Sequence, residues 1–70
     1  MPLGRYRLKT PTLALVEEEG RHVAHTVPGG AIVVLDRKAG DGEKLVEVVW
    51  DGKRVMMFAQ DLRSRGERTE

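Results

Sequence analysis

The sequence predicts an all-β domain: a small antiparallel barrel of five strands, or six if an N-terminal edge strand is counted. Two observations carry that expectation. Apolar residues recur at a spacing of two or in short runs rich in Val, Ile and Leu, and no stretch has the periodicity of a normal amphipathic helix. Turn signals interrupt these runs at intervals of about eight to twelve residues, a rhythm typical of small barrels and sandwiches. The signals are Glu19-Gly20, Pro28-Gly29-Gly30, Ala39-Gly40-Asp41-Gly42 and Asp51-Gly52.

Taken in order, residues 5–9 read as the edge strand. Further strands are expected over 12–18, 21–27, 31–36, 44–50 and 53–58. Residues 59–62, Ala-Gln-Asp-Leu, read as one short 3₁₀ turn that lets Leu62 fold back onto the core. A last strand is expected to begin near residue 63. The division is an N-terminal arm or edge strand over 1–11, a barrel over 12–66 and a frayed tail over 67–70.

Two tight turns predict register. Asp51-Gly52 is a type I′ signal. It sets Trp50 opposite Lys53, Val48 opposite Val55 and Val46 opposite Met57. The other face then pairs Val49 with Arg54, Glu47 with Met56 and Leu45 with Phe58. The first set is apolar and is expected to be core. A slip of one residue would bury Glu47 and Arg54 instead, at high cost. Glu19-Gly20 likewise sets Glu18 opposite Arg21, Glu17 opposite His22 and Val16 opposite Val23.

The order of elements resembles the SH3-like barrel. The resemblance rests on the run Gly30-Ala-Ile-Val-Val-Leu35 and on Val55-Met-Met-Phe-Ala-Gln-Asp-Leu62. The second is similar to the strand-to-3₁₀ junction of several bacterial and photosynthetic SH3-like modules. The likeness spans residues 12–63 and implies a fold rather than an activity, since such barrels bind peptides, nucleic acids and partner subunits. The aromatic shelf that reads proline-rich peptides is missing, because the chain holds one Tyr, one Trp and one Phe.

Composition narrows the function classes. The 70 residues include no cysteine, so disulfides, thiolate metal sites and cysteine nucleophiles are excluded, and a reducing, cytoplasmic setting is expected. No apolar run approaches the roughly 18 residues of a membrane span, and the first residues lack the apolar stretch of a secretory signal. The formal net charge of +1 is too small to indicate nucleic acid by itself.

No catalytic or metal-binding set assembles from the sequence, and no cofactor or small-molecule substrate is expected. His22 and His25 fall on opposite faces of one strand. Glu17, Glu18 and Glu19 alternate faces into a turn. Asp36, Asp41 and Glu43 lack the ligand ladder of a calcium loop. Neither glycine-rich turn carries a phosphate-loop signature. Ser64, the one serine, has no histidine near it in sequence. A non-catalytic module is the expectation, with an active site formed only on oligomerisation left open.

Two binding surfaces remain. One is the mixed face of the last hairpin, Leu45, Val49, Met56 and Phe58 with Trp50 at its rim, suited to a partner protein or a second copy. The alternative there is that residues 3–8 fold across that face and cover it. The other surface is basic. Arg5, Arg7 and Lys9 would lie near Arg63, Arg65 and Arg68 if the first and last strands adjoin, and together they would hold nucleic-acid phosphates. Solvated, flexible ends are the alternative for these residues.

Overall fold

The computed structural model describes residues 1–38, 40 and 42–69. Its elements are β1 (Gly4–Leu8), β2 (Thr12–Glu18), β3 (Arg21–Val27), β4 (Ile32–Leu35), β5 (Leu45–Trp50), β6 (Lys53–Phe58), α1 (Ala59–Arg65) and β7 (Gly66–Arg68). The all-β expectation holds at this level. All strand pairs are antiparallel, and they form one open sheet in the order β3-β2-β6-β5-β4-β1-β7.

Both hairpin registers follow from their turns. Asp51 and Gly52 have φ of 53° and 75°, and Glu19 and Gly20 have 51° and 78°. Two successive positive φ values define the I′ geometry, whose twist suits a two-residue hairpin. Trp50 accordingly faces Lys53, Val48 faces Val55 and Val46 faces Met57, with Glu47 against Met56 and Leu45 against Phe58. In the first hairpin, Glu18 faces Arg21 and Val16 faces Val23. Ala39 and Asp41 of the third turn signal lie outside the described residues, as does Glu70.

The core collects one side of every long strand. Val46, Val48, Val55 and Met57 are buried, joined by Tyr6, Leu8, Ala14, Val27, Val33, Leu35, Ala59 and Leu62. Among the described residues Thr12 is the buried polar one, and its hydroxyl donates to the Thr10 carbonyl at 2.9 Å. Tyr6, read from the sequence as lying ahead of the barrel, belongs to the core cluster and donates its hydroxyl to the Pro2 carbonyl.

Four expectations are corrected. Among the described residues the sheet has seven strands, not five or six. Residues 59–65 form an α-helix in place of a 3₁₀ turn, which moves Arg63 and Arg65 out of the last strand. Ala, Gln, Leu and Arg are good helix formers, and the i, i+3 spacing of Ala59 and Leu62 buries both on one side. Asp61 in the first turn and Arg63 and Arg65 in the last complement the helix dipole. Glu67 and Arg68 are not frayed: they lie in β7 and pair with Arg7 and Tyr6. Finally, β1 is not an edge strand, because it runs between β4 and β7. A strand held in the plane of the sheet beside β4 cannot also lie across β5 and β6, so the N-terminal arm does not cover their outer face.

Candidate functional site

With one side of the sheet committed to the core, alternation sends the other residues of each strand outward. On β5 and β6 these are Leu45, Glu47, Val49, Arg54, Met56 and Phe58. The predicted residues therefore share one side of the hairpin, with the exception of Trp50. That residue sits on the core side of β5, half-buried against the core cluster.

Pairing distant in sequence enlarges the face. β2 runs beside β6 with Leu15 opposite Met56 and Ala14 opposite Met57. Carried one residue further, this register sets Leu13 beside Phe58. On the far side, Val34 of β4 lies opposite Val49. Leu13 and Ile32 are 42% exposed and Phe58 is 39% exposed. Leu15, Val34, Leu45, Val49 and Met56 are half-buried. Leu13, Leu15, Ile32 and Val34 are thus members that reading the sequence missed. Alternation within residues 12–16 is weak, as every position after Thr12 is apolar, so which side faces out depends on the long-range pairing with β6.

A band of charge divides this face. The Arg54 guanidinium spans from β6 to Asp36, just beyond β4, with bonds of 3.1 and 3.0 Å to the two carboxylate oxygens. Because β5 lies between those strands, the pair crosses over β5. Arg54 also lies 3.5 Å from Glu47, which in turn meets Arg37 at 3.4 Å. The bidentate hydrogen bond and the positive charge of Arg54 hold the Asp36 carboxyl below its ordinary range, and the same pair raises Arg54. Glu47 and Arg54 are therefore accommodated on the outer face by pairing. On one side of the band lies an apolar lobe of Leu13, Leu15, Leu45, Met56 and Phe58. A shallow groove adjoins Phe58 there, bounded by Lys44, Gln60 and Arg63.

The predicted basic residues are partly brought together. β1 and β7 adjoin, and the Lys9 amide donates to the Arg65 carbonyl at 2.7 Å. Arg5, Arg7, Lys9 and Arg65 therefore share one end of the sheet, whereas Arg63 lines the groove beside Phe58. Several are already engaged. Arg7 pairs with Glu67 at 2.9 Å, and that hydrogen bond and charge, with Lys9 nearby, hold Glu67 below its ordinary range. Arg65 donates to the Pro11 carbonyl and Arg68 to the Leu3 carbonyl.

The two histidines separate as alternation requires. His22 faces Glu17 on the outer side, while His25 lies on the core side and reaches Glu18 at 3.0 Å past the Val16–Val23 level. Among the described residues, no three His, Asp or Glu side chains gather as metal ligands, and no helix is long and apolar enough to cross a membrane. Comparisons of the chain with protein-family models, curated proteins and solved structures return no match.

Proposed function

We propose that this chain is a non-catalytic, cytoplasmic interaction module of SH3-like type that binds protein through the outer apolar lobe of its sheet. One observation carries the reading. Leu13 and Phe58 stand exposed beside half-buried Leu15, Leu45 and Met56, forming a contiguous apolar surface on the outer side of the sheet. Met56 and Phe58 supply adaptable, high-area contacts, and the ion-pair band and groove cations give the lobe a polar rim. The SH3-like assignment is supported by the hairpin order, by the short helix before the last strand and by the adjoining terminal strands. Nucleic-acid binding through Arg5, Arg7, Lys9, Arg63 and Arg65 is the weaker reading, since Arg7 is neutralised by Glu67 and Arg63 lies apart.

The test is sedimentation velocity at micromolar concentration, alone and with cell extract, on wild type, Met56→Glu and Phe58→Glu. The wild type is expected to run in a larger species, self-associated or bound to a protein. Each variant should weaken that species by tenfold or more, about 1.4 kcal/mol, while keeping its circular dichroism spectrum. A wild type that stays monomeric in both settings, indistinguishable from its variants, overturns the proposal.

A further inference from the structure

We infer that β3 is a docking edge for a second copy of this chain, with the two β3 strands pairing antiparallel about Ala24. The sheet ends at β3, and from His22 to Thr26 every residue except half-buried Val23 is exposed. It is a seven-residue strand, whereas the opposite edge, β7, has only three residues. Proteins commonly guard such an edge with charged side chains, lysine above all, with proline or with a bulge. β3 has no proline or lysine, its one arginine, Arg21, stands at the turn end away from Ala24, and its seven consecutive pairs with β2 leave no bulge.

The direction of its backbone groups follows from the turn. A type I′ turn closes with a hydrogen bond between its first and fourth residues, so Glu18 and Arg21 form a bonded pair. Bonded and non-bonded pairs alternate along an antiparallel ladder. Arg21, Val23, His25 and Val27 therefore direct their amides and carbonyls toward β2. His22, Ala24 and Thr26 direct theirs outward, where no backbone partner is found among the described residues.

That outward set is self-complementary about a two-fold axis at Ala24. Ala24 meets Ala24 of the second copy, and His22 meets Thr26, each pair exchanging two hydrogen bonds. The residues between them bring Val23 beside His25 and Arg21 beside Val27, so no two like charges stand opposite each other. A two-fold interface of this kind uses one patch twice and closes on itself, and strand addition draws its affinity from the backbone. The inference stands on the bare edge and is independent of the apolar lobe. It would carry the lobes of both copies onto one continuous face.

Because the chain has no cysteine, single-cysteine variants report on this geometry cleanly. A bonded antiparallel pair sets its Cα atoms about 5.5 Å apart, within the range a disulfide bridges. Under mild oxidation at micromolar concentration, Ala24→Cys is expected to form a covalent dimer about tenfold faster than Phe58→Cys, as proximity raises the effective concentration. In the unmodified chain, amide exchange at His22, Ala24 and Thr26 should slow as concentration rises, whereas exchange at Val23 and His25 should change little. Faster coupling at Phe58→Cys, with no change in exchange at Ala24, assigns association to the lobe and overturns the edge. Protection of the three amides without coupling at Ala24→Cys overturns the two-fold register, since another strand or register would then occupy the edge. No change in either measurement overturns the inference outright.

Discussion

A β-carbon placed on Gly66 would lie 2.5 Å from the Leu62 carbonyl oxygen and 3.2 Å from a Leu62 methyl. Its own N–H caps α1 by donating to that same carbonyl. The requirement here is room, because its φ of −98° is open to any residue. Leu62 is fully buried, so it cannot retreat without opening the core. Gly66→Ala is therefore expected to cost about 1–3 kcal/mol through overpacking. Urea denaturation should show a lower midpoint with an unchanged slope. Nothing in the sequence distinguishes Gly66 from the turn glycines. Its role arises where α1 meets β7, whereas Gly20 and Gly52 were legible beside Glu19 and Asp51 as turn pairs.

At the scale of elements, the charged band on the outer face and the Arg7–Glu67 pair between β1 and β7 set a pH dependence. Asp36 and Glu67 both have folded-state values below their ordinary ones, through Arg54 and Arg7 respectively. A depressed carboxyl stabilises the fold above its unfolded value, and that contribution is lost as pH falls through the folded value. Arg54→Met should therefore lower Tm at neutral pH. The gap from wild type should be smaller at an acid pH below the ordinary Asp range, because the wild type loses this contribution as Asp36 takes up its proton. Thermal melts at the two pH values check this, and high salt should narrow the neutral-pH gap as well, since the pair is exposed. The hairpins were readable at this scale because a turn dipeptide and local alternation suffice to set their register. α1 was misread because residues 63–65 carry no apolar signal. The helix continues past Leu62 to where Gly66 can join β1 as β7.

At the scale of the whole molecule, β7 ties the end of the chain to its beginning. It pairs with β1 at Tyr6, Arg7 and Leu8, and Thr69 donates to the Arg5 carbonyl at 3.0 Å. A chain ending at Arg65 loses that ladder and turns β1 into a bare edge. With each net hydrogen bond contributing roughly 1 kcal/mol, the loss should be on the order of 2 kcal/mol, a large fraction of a small domain's stability. A drop in Tm of about 10 °C or more is the expected readout, while an unchanged melt would show that β7 adds nothing.

By itself, the sequence determined the all-β class, the registers of both tight hairpins and the core face of β5 and β6. Each follows from interactions a few residues apart: turn dihedrals, alternation and the cost of burying Glu47 or Arg54. Tertiary structure alone decided that β2 lies beside β6, that β1 is interior, and that Leu13 joins Phe58 on an uncovered face. Those pairings join segments about 25 to 60 residues apart. Their choice depends on how the entire apolar surface is buried at once, which no local pattern encodes. The open edge at β3 is decided in the same way, as the strand left without a neighbour once the others are paired.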